Sequence, residues 1–283
     1  MLTVIEYAEQ QRSLGRRIHF HDGVYWEELY PFYCKPAFIY KPFDIGARPA
    51  RFHSLLGYTH QVLLPLQGNR SIFLMELNRT RLDGFSLSQL PSRKRTYVRR
   101  ALEQCMIKPI TDIERFLERM LEINISQALR QEKGAGVETP VKRFTEAAGE
   151  WRRQMRQEFA LKGREWWGAF TADDILVAYI RTHQVDGIRD IYQTKSDTEY
   201  LKVHPMEALY FTILEKAASD PTCKRIVNSR PMHPSLNHFK EGFLFRAVEY
   251  PFYYSNPKIE EIAKGVLLNW RHWSIIHNLK KVK

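Results

Sequence analysis

The sequence predicts an α/β protein in which a mixed sheet is flanked by helices and preceded by a strand-rich N-terminal half. Three observations lead to this prediction. From Met106 to Tyr254, strand and helix patterns follow in the order β-α-α-β-β-β-α-β-α-β. Residues 1–90 show short strand patterns interrupted by many prolines and glycines. The 283 residues are 44% hydrophobic and 27% charged, which is typical of a globular chain.

The first ninety residues contain five short apolar segments with strand character, and no helix pattern stands out among them. The predicted strands are residues 2–7, 16–20, 24–28, 37–41 and 70–77.

The elements from Met106 onward have clearer start and stop signals. After a first strand at 106–110, Thr111 and Glu114 form a capping box that begins a helix ending near Gln131. A Gly134-Ala135-Gly136 break follows, and Thr139-Pro140 begins a second helix that ends at Gly163. The remaining predicted elements are strands at 165–170, 175–182 and 188–194, a helix from Pro205, a strand at 224–228, a helix from Pro234 to Gly242 and a strand at 245–254.

These patterns divide the chain into three predicted segments: a degenerate strand-rich half (1–90), an α/β domain (91–256) and a C-terminal amphipathic basic helix (257–283). The helix either packs on the protein, with its lysines beside its C-terminal dipole, or lies on an anionic membrane surface as a peripheral contact.

The basic surplus is concentrated in three places. The chain has 43 basic and 32 acidic residues, a net charge of +11. The net charge is +5 in residues 91–108, +3 in 141–165 and +4 in 271–283. Such clusters indicate an anionic partner, which could be a nucleic acid, a nucleotide, coenzyme A phosphates or a lipid headgroup; solvated faces are the alternative.

Several classes of protein are disfavoured by what the sequence lacks. Three distant cysteines exclude a disulfide framework and a zinc ribbon, and favour a reducing compartment. No secretory leader or apolar span is recognisable, so we expect a cytoplasmic protein. Phosphate-loop, hydrolase-elbow and metalloprotease motifs are absent. His19 and His21 share a strand face, but nothing near them in the sequence completes a metal site, so we expect no metal.

Two local sequences resemble a known family. Residues 86–105, SLSQLPSRKRTYVRRALEQC, are similar to the basic lead-in of the second domain of Fem-type peptidoglycan aminoacyltransferases. Residues 237–243, NHFKEGF, resemble the FK-x-GF segment near the end of those proteins. The resemblance implies the acyl-coenzyme-A N-acyltransferase (GNAT) fold, with residues 1–90 as an eroded GNAT-like half.

The resemblance has one clear departure. Members that use acetyl-CoA carry a glycine-rich turn after the third strand, where backbone amides hold the pyrophosphate. The equivalent residues 194–205 contain no glycine. The candidate coenzyme-binding residues are therefore side chains of this turn: Thr194, Lys195, Ser196, Lys202 and His204. Fem-type relatives also lack the glycines and use aminoacyl-tRNA, so both donors stay open.

The resemblance also implies catalytic residues. Lys240 matches the lysine of the FK segment, which stabilises phosphate or oxyanion charge in Fem-type enzymes; a solvated lysine is the alternative. The third strand of a GNAT-like sheet polarises the donor carbonyl, and here Asp190 and Tyr192, with Thr194, are expected on one face of it. Asp190 is the candidate base, or else an ordinary strand carboxylate.

Substrate-binding candidates lie after the strand at 224–228, because loops at the carboxyl ends of strands often hold ligands. They are Arg230, His233 and Asn237; the alternative for His233 is a helix N-cap.

The sequence thus predicts an N-acyltransferase of unknown oligomeric state. It would transfer an acyl or aminoacyl group from acyl-CoA, or from aminoacyl-tRNA, to an amine of a small molecule or a cell-wall precursor. An inactive GNAT-like module that binds an anionic partner is the alternative, and a general nucleic-acid-binding protein is a third hypothesis.

Overall fold

The structure is a computed structural model that describes residues 1–133, 141–231 and 233–257. The chain divides into two compact units. The larger unit consists of Met1–Thr3 and Phe73–Glu249, and the smaller unit consists of Val4–Ile72 and Tyr250–Lys283. The predicted segments 1–90, 91–256 and 257–283 have different boundaries, and most of the last one lies outside the described residues.

The larger unit is built on a mixed sheet whose strands lie in the order β5-β10-β9-β8-β7-β6. These strands are β5 (Arg70–Asn78, within this unit from Phe73), β6 (Met106–Pro109), β7 (Arg164–Phe170), β8 (Leu176–Val185), β9 (Ile188–Ser196) and β10 (Arg225–Val227). Strand β10 pairs parallel with β9 and antiparallel with β5, whereas β6 to β9 are antiparallel neighbours. Every residue of the central strand β8 is buried.

Helices cover both faces of this sheet. They are α2 (Arg79–Leu82), α3 (Ser92–Gln104), α4 (Ile113–Lys133), α5 (Lys142–Thr145), α6 (Ala148–Phe159), α7 (Pro205–Ser219) and α8 (Pro234–Glu241). Apolar residues of α3 and α7 pack with Ile180 and Ile191 on one face. Those of α4 and α6 pack with Trp166 and Tyr179 on the other face.

The order of elements predicted from Met106 onward is confirmed up to the last strand β11 (Arg246–Tyr254), except that the second predicted helix is divided into α5 and α6. The helical stripes that predicted α4 and α6 are the buried faces of those helices. The predicted break at residues 134–136 and the predicted cap at Thr139-Pro140 lie outside the described residues.

The smaller unit contains helix α1 (Val4–Ser13) and strands β1 (Ile18–His21), β2 (Val24–Tyr30), β3 (Tyr33–Pro36) and β4 (Gly57–Gln61), with the end of β11. The predicted strands near β1, β2 and β5 are confirmed. The strand predicted at 2–7 is wrong: residues from Val4 on are helical, because Ala8 and Gln11 continue a buried face at helical spacing. The strand predicted at 37–41 is also wrong, since Pro36 and Pro42 remove two backbone donors around it.

No described helix has the length and apolar character needed to cross a membrane.

Candidate functional site

Strands β9 and β10 separate beside the middle of the sheet. Their parallel pairing begins with Arg225 opposite Ile188 and ends with Val227 opposite Asp190. Strand β10 stops there, whereas β9 continues to Ser196. The β9 main chain beyond Asp190 therefore runs without a β10 partner, as expected for strands that splay around a ligand.

A β-bulge lies on β9 just past this point. Arg181 of β8 pairs with Gln193, but the next residue of β8, Thr182, pairs with Ile191, which leaves Tyr192 as the extra residue. A bulge shifts the alternation of side chains by one position.

The bulge corrects one expectation from the sequence. Asp190 and Tyr192 both lie beside His183, on the α4/α6 face. The side chain of Thr194 instead hydrogen-bonds Tyr210 of α7, on the opposite face. The three residues do not share one face, because the sequence pattern assumed uninterrupted alternation.

Asp190 is a buried carboxylate next to a buried imidazole. Its Oδ2 is 3.9 Å from His183 Nε2. Burial, with additional repulsion from Arg164 and Arg181, lowers the pKa of His183 well below its ordinary value, so this ring is neutral. The Tyr192 hydroxyl is also buried and makes no hydrogen bond among the described residues.

Tyr210 connects β9 and β10 where they have separated. Its hydroxyl accepts a hydrogen bond from Asn228 Nδ2 and also bonds Thr194. Tyr210 and Asn228 are buried, and this burial raises the pKa of Tyr210 to about 12. The bridge fills part of the opening between the two strands with a neutral phenol.

Lys240 lies at the same end of β10. Its Nζ donates to the backbone oxygen of Asn228 at 2.8 Å and to Ser229 Oγ at 2.9 Å. The side chain is buried rather than solvated, and burial lowers its pKa to about 8. Ser229 has a positive φ of 56°, so Lys240 stabilises an unfavourable backbone turn. The third N–H of Lys240 has no acceptor among the described residues.

The two phenylalanines of the FK-x-GF segment hold a lysine of α3. Lys94 Nζ lies 4.2 Å from the ring centre of Phe239 and 4.8 Å from that of Phe243. It also pairs with Glu207 Oε1, in the first turn of α7, at 3.5 Å. Burial lowers the pKa of Lys94, and Glu207 opposes this change. The two family-like segments therefore meet in space.

The backbone amides of the turn after β9 donate hydrogen bonds to α4, to β8 and to the turn itself. Ser196 N donates to Gln127 Oε1, Asp197 N to Val177 O and Thr198 N to Ser126 Oγ. The amides of Glu199, Tyr200, Leu201, Val203 and His204 donate to acceptors within the same turn. Amides that are already bonded are not free to hold a pyrophosphate.

Most predicted coenzyme-binding side chains of this turn have contacts within the fold. Lys195 lies 6.0 Å from the Phe144 ring, and Ser196 is buried beside Arg130. His204 stacks on Tyr97 at 4.1 Å between ring centres. Lys202 is exposed.

The predicted substrate residues lie in and around the start of α8. Arg230 is exposed, and Asn237 is half-buried on the helix. His233 is the N-cap of α8, since its Nδ1 accepts from Ser235 N at 3.4 Å. The structure therefore agrees with the alternative for His233, a helix N-cap.

A pocket that the sequence did not indicate lies beside the end of α8. It has a volume of about 450 Å³ and is lined by Arg81, Glu241, Leu244, Phe245, Arg246 and Ala247. Burial and repulsion from Arg246 lower the pKa of Arg81. This pocket could not be predicted from the sequence, because Arg81 and Arg246 lie far apart in the chain, on α2 and β11.

Neither the sequence profiles of known families nor the curated protein sequences match this chain. Solved structures do. FemX superposes with a TM-score of 0.55 at 12% identity, covering 91% of this chain and 92% of that chain.

Two further solved structures superpose similarly. The C-terminal domain of a putative synthetase from Agrobacterium fabrum has a TM-score of 0.56 at 9% identity, covering 93% of this chain and 92% of that chain. L-PGS from Bacillus licheniformis has a TM-score of 0.54 at 10% identity, covering 90% of this chain and 91% of that chain. At these identities the likeness concerns the fold, and the chain has the GNAT-like fold with Fem-type structural relatives.

Proposed function

We propose that this protein is a GNAT-type transferase that moves an aminoacyl or acyl group to an amine acceptor, with aminoacyl-tRNA favoured over acyl-CoA as the donor. The observation that carries the proposal is the separation of β9 from β10 after the Asp190–Val227 pair, with Lys240 at its edge. The names of the solved relatives, FemX and lysylphosphatidylglycerol synthetase, agree with this class of reaction.

Lys240 is suited to stabilise the transition state. An amine that attacks a carbonyl carbon places negative charge on the carbonyl oxygen, and a fixed donor stabilises that charge best where water is excluded. Two N–H groups of Lys240 hold Asn228 and Ser229 in place. The third, which has no acceptor among the described residues, would donate to the oxyanion.

The proposed step is a direct displacement. The acceptor nitrogen forms a bond to the donor carbonyl carbon, and the bond from that carbon to the carrier oxygen breaks. The nitrogen loses its proton to water or to Asp190. Because Asp190 lies on the α4/α6 face beside His183, water is the simpler acceptor. No covalent intermediate on the protein is needed.

The turn after β9 favours a donor other than coenzyme A. Eight of its backbone amides donate hydrogen bonds within the protein, so they are not available to a pyrophosphate. An acyl-CoA donor would depend on side chains such as Lys202 and His204.

Helix α3 offers cations for a polyanionic donor. Arg93, Arg99 and Arg100 are exposed on it, and Arg99 and Arg100 have no acidic partner among the described residues. The basic segment 141–165 differs, because its Arg152 and Arg156 form bidentate pairs with Glu118 and Glu114 of α4. The third basic segment, 271–283, lies outside the described residues.

The test compares donors for the purified full chain. Binding of aminoacyl-tRNA and of acetyl-CoA is measured by calorimetry, and transfer to small amines and to a cell-wall precursor peptide is followed by mass. The proposal predicts tighter binding of aminoacyl-tRNA and a mass increase that requires it. Absence of binding and transfer with both donors would overturn it.

The Tyr210 bridge favours a second candidate function, an inactive module that binds an anionic partner. The Tyr210 side chain occupies part of the opening between β9 and β10, which reduces the space for a donor carbonyl. The module predicts salt-dependent binding of a polyanion to the wild-type protein without transfer. It also predicts that Tyr210→Ala, which opens the bridge, does not create transfer.

A further inference from the structure

Three side chains that are far apart in the sequence of the smaller unit come together around one point. They are His19 on β1, Glu28 on β2 and His53 in the short 3-10 turn Arg51–His53. One donor atom from each lies within 4.8 Å of the donor atoms of the others. The sequence led us to expect no metal site, because nothing near His19 and His21 in the chain completes one.

The hairpin of β1 and β2 brings the first two residues together. Asp22 and Gly23 both have positive φ, the two-residue turn that suits a tight hairpin. This turn sets the register in which His19 faces Trp26, so Glu28, two residues further along β2, is its diagonal neighbour on the same face. His19 Nε2 is 3.8 Å from Glu28 Oε2.

His53 completes the group from the other side. Its ring stacks on that of His19, with 3.6 Å between ring centres and 17° between planes. The Cys34 thiol donates to the backbone oxygen of His53 at 3.1 Å, which fixes the turn.

The state of each donor atom suits metal binding. His19 Nε2 is shielded from solvent and makes no hydrogen bond among the described residues. Glu28 Oε1 accepts from Phe32 N at 3.0 Å, an outer contact that orients the carboxylate and leaves Oε2 facing His19.

One cation competes for the carboxylate. Arg17 Nη1 is 3.6 Å from Glu28 Oε2, but the Arg17 side chain is 72% exposed and can move into solvent. Arg12 also lies close enough to affect His19. The exposed ion pair between Arg17 and Glu28 stabilises the protein by at most about 1 kcal/mol. A divalent ion held by three ligands should therefore bind the Glu28 carboxylate more strongly than Arg17 does.

We propose that His19, Glu28 and His53 form a binding site for a divalent transition metal of the zinc type. Two imidazoles and one carboxylate suit Zn²⁺, Co²⁺, Ni²⁺ and Cu²⁺, and not Mg²⁺ or Ca²⁺, which prefer oxygen ligands. Ligand atoms in tetrahedral zinc sites are roughly 3.4 Å apart, close to the 3.8 Å between His19 and Glu28. Because a ring nitrogen binds a metal in the plane of its ring, one of the two stacked imidazoles must rotate so that both nitrogens point to the same ion.

Zinc sites are tetrahedral, so three protein ligands would leave a fourth position for water. The site would also link the β1–β2 hairpin to the 51–53 turn. Bound metal should therefore stabilise the smaller unit against unfolding.

The test is zinc binding by the chelator-treated full chain, measured by competition with a chromogenic zinc indicator. The chain also contains His272 and His277, which lie outside the described residues and are potential zinc ligands. The readout is therefore the number of zinc equivalents that each substitution removes, and not the total number bound. Removal of a ligand should weaken binding more than the roughly 100-fold loss caused by removal of an outer hydrogen-bond partner. His19→Ala and His53→Ala should each lose one equivalent, whereas His21→Ala, a neighbouring exposed histidine on β1, should lose none.

A second readout does not depend on the alanine variants being stable. Co²⁺ added to the wild-type chain should give the intense visible absorption of a tetrahedral nitrogen–oxygen site, and the milder His53→Gln should remove it. Zinc should raise the wild-type melting temperature and leave that of His53→Gln unchanged. The proposal is wrong if the wild-type chain binds no zinc at micromolar concentration, or if His53→Gln and the wild type bind equally.

Discussion

The hydroxyl of Tyr210, on α7, accepts a hydrogen bond from the side-chain amide of Asn228 at the end of β10. The same hydroxyl bonds Thr194 on β9, so one phenol spans two strands that have stopped pairing with each other. This bridge determines how much of the opening between β9 and β10 a donor can enter.

Tyr210→Phe removes the hydroxyl, so the buried Asn228 amide and the half-buried Thr194 hydroxyl lose this partner. We expect the free energy of unfolding to fall by about 1–3 kcal/mol, measured by urea denaturation. The control is Tyr192→Phe, because the Tyr192 hydroxyl is buried and unbonded among the described residues. That variant should be as stable as the wild type or slightly more stable; an equal loss in both variants would contradict the bridge.

Lys240 should make stability depend on pH in the alkaline range. Its pKa is about 8 in the folded protein and ordinarily 10.5, so between these values the unfolded chain binds the extra proton. The free energy of unfolding attributable to Lys240 therefore rises as the pH increases through this window. Below pH 8 Lys240 is mostly charged in the folded protein, and the burial of this charge lowers the free energy of unfolding.

Lys240→Met should remove this rise, measured as the difference between variant and wild type in urea unfolding at pH 7.5, 8.5 and 9.5. Lys202→Met, which replaces an exposed lysine, is the control and should leave the profile unchanged. If the free energy of unfolding changes with pH in the same way for Lys240→Met and the wild type, the prediction is contradicted, because Lys240 is then not desolvated.

The Arg181–Glu158 ion pair should be important for stability. Arg181 Nη1 donates to Glu158 Oε2 at 2.9 Å, and both side chains are buried. Arg181→Met leaves Glu158 as an unpaired buried carboxylate, which typically costs about 3–5 kcal/mol. The matched control is Arg156→Met, which breaks the exposed pair with Glu114 and should cost less than about 1 kcal/mol. Thermal or urea unfolding of both variants measures the difference.

The cations of α3 should contribute to binding of a polyanionic donor. Replacing Arg99 and Arg100 with glutamine should weaken tRNA binding and reduce the salt slope of the binding constant by about 1 for each phosphate that is no longer neutralised. Arg153→Gln, which removes an exposed arginine of α6, is the control. Equal affinities for the double variant and the control would exclude α3 from the binding surface.

The sequence predicted the elements from β6 to β11 well because their periodic patterns are long and their ends carry capping residues. It misassigned α1, whose β-branched start hid a helical face that includes Ala8 and Gln11. A short segment with mixed propensity takes its structure from what it packs against, and a single sequence does not contain that information.

The candidate site could be predicted only in part. The FK-x-GF segment located Lys240 and its neighbours, and the missing glycines indicated the altered turn. The bulge at Tyr192 could not be read from the sequence, since a one-residue shift depends on how β8 and β9 pair. The stacking of His53 on His19 was also hidden, because the two residues are 34 positions apart and the 51–53 turn has no sequence pattern that places it beside β1.

The central claim is that Lys240 stabilises an aminoacyl transfer at the separated strands β9 and β10. Its most direct test is transfer of a radiolabelled amino acid from aminoacyl-tRNA to an amine acceptor by wild type, Lys240→Met and the control Lys224→Met, which replaces an exposed lysine. The account predicts transfer by wild type and Lys224→Met, and a loss of about 100-fold or more in Lys240→Met, in the range found when one oxyanion donor is removed. Equal transfer by Lys240→Met and the wild type would contradict it.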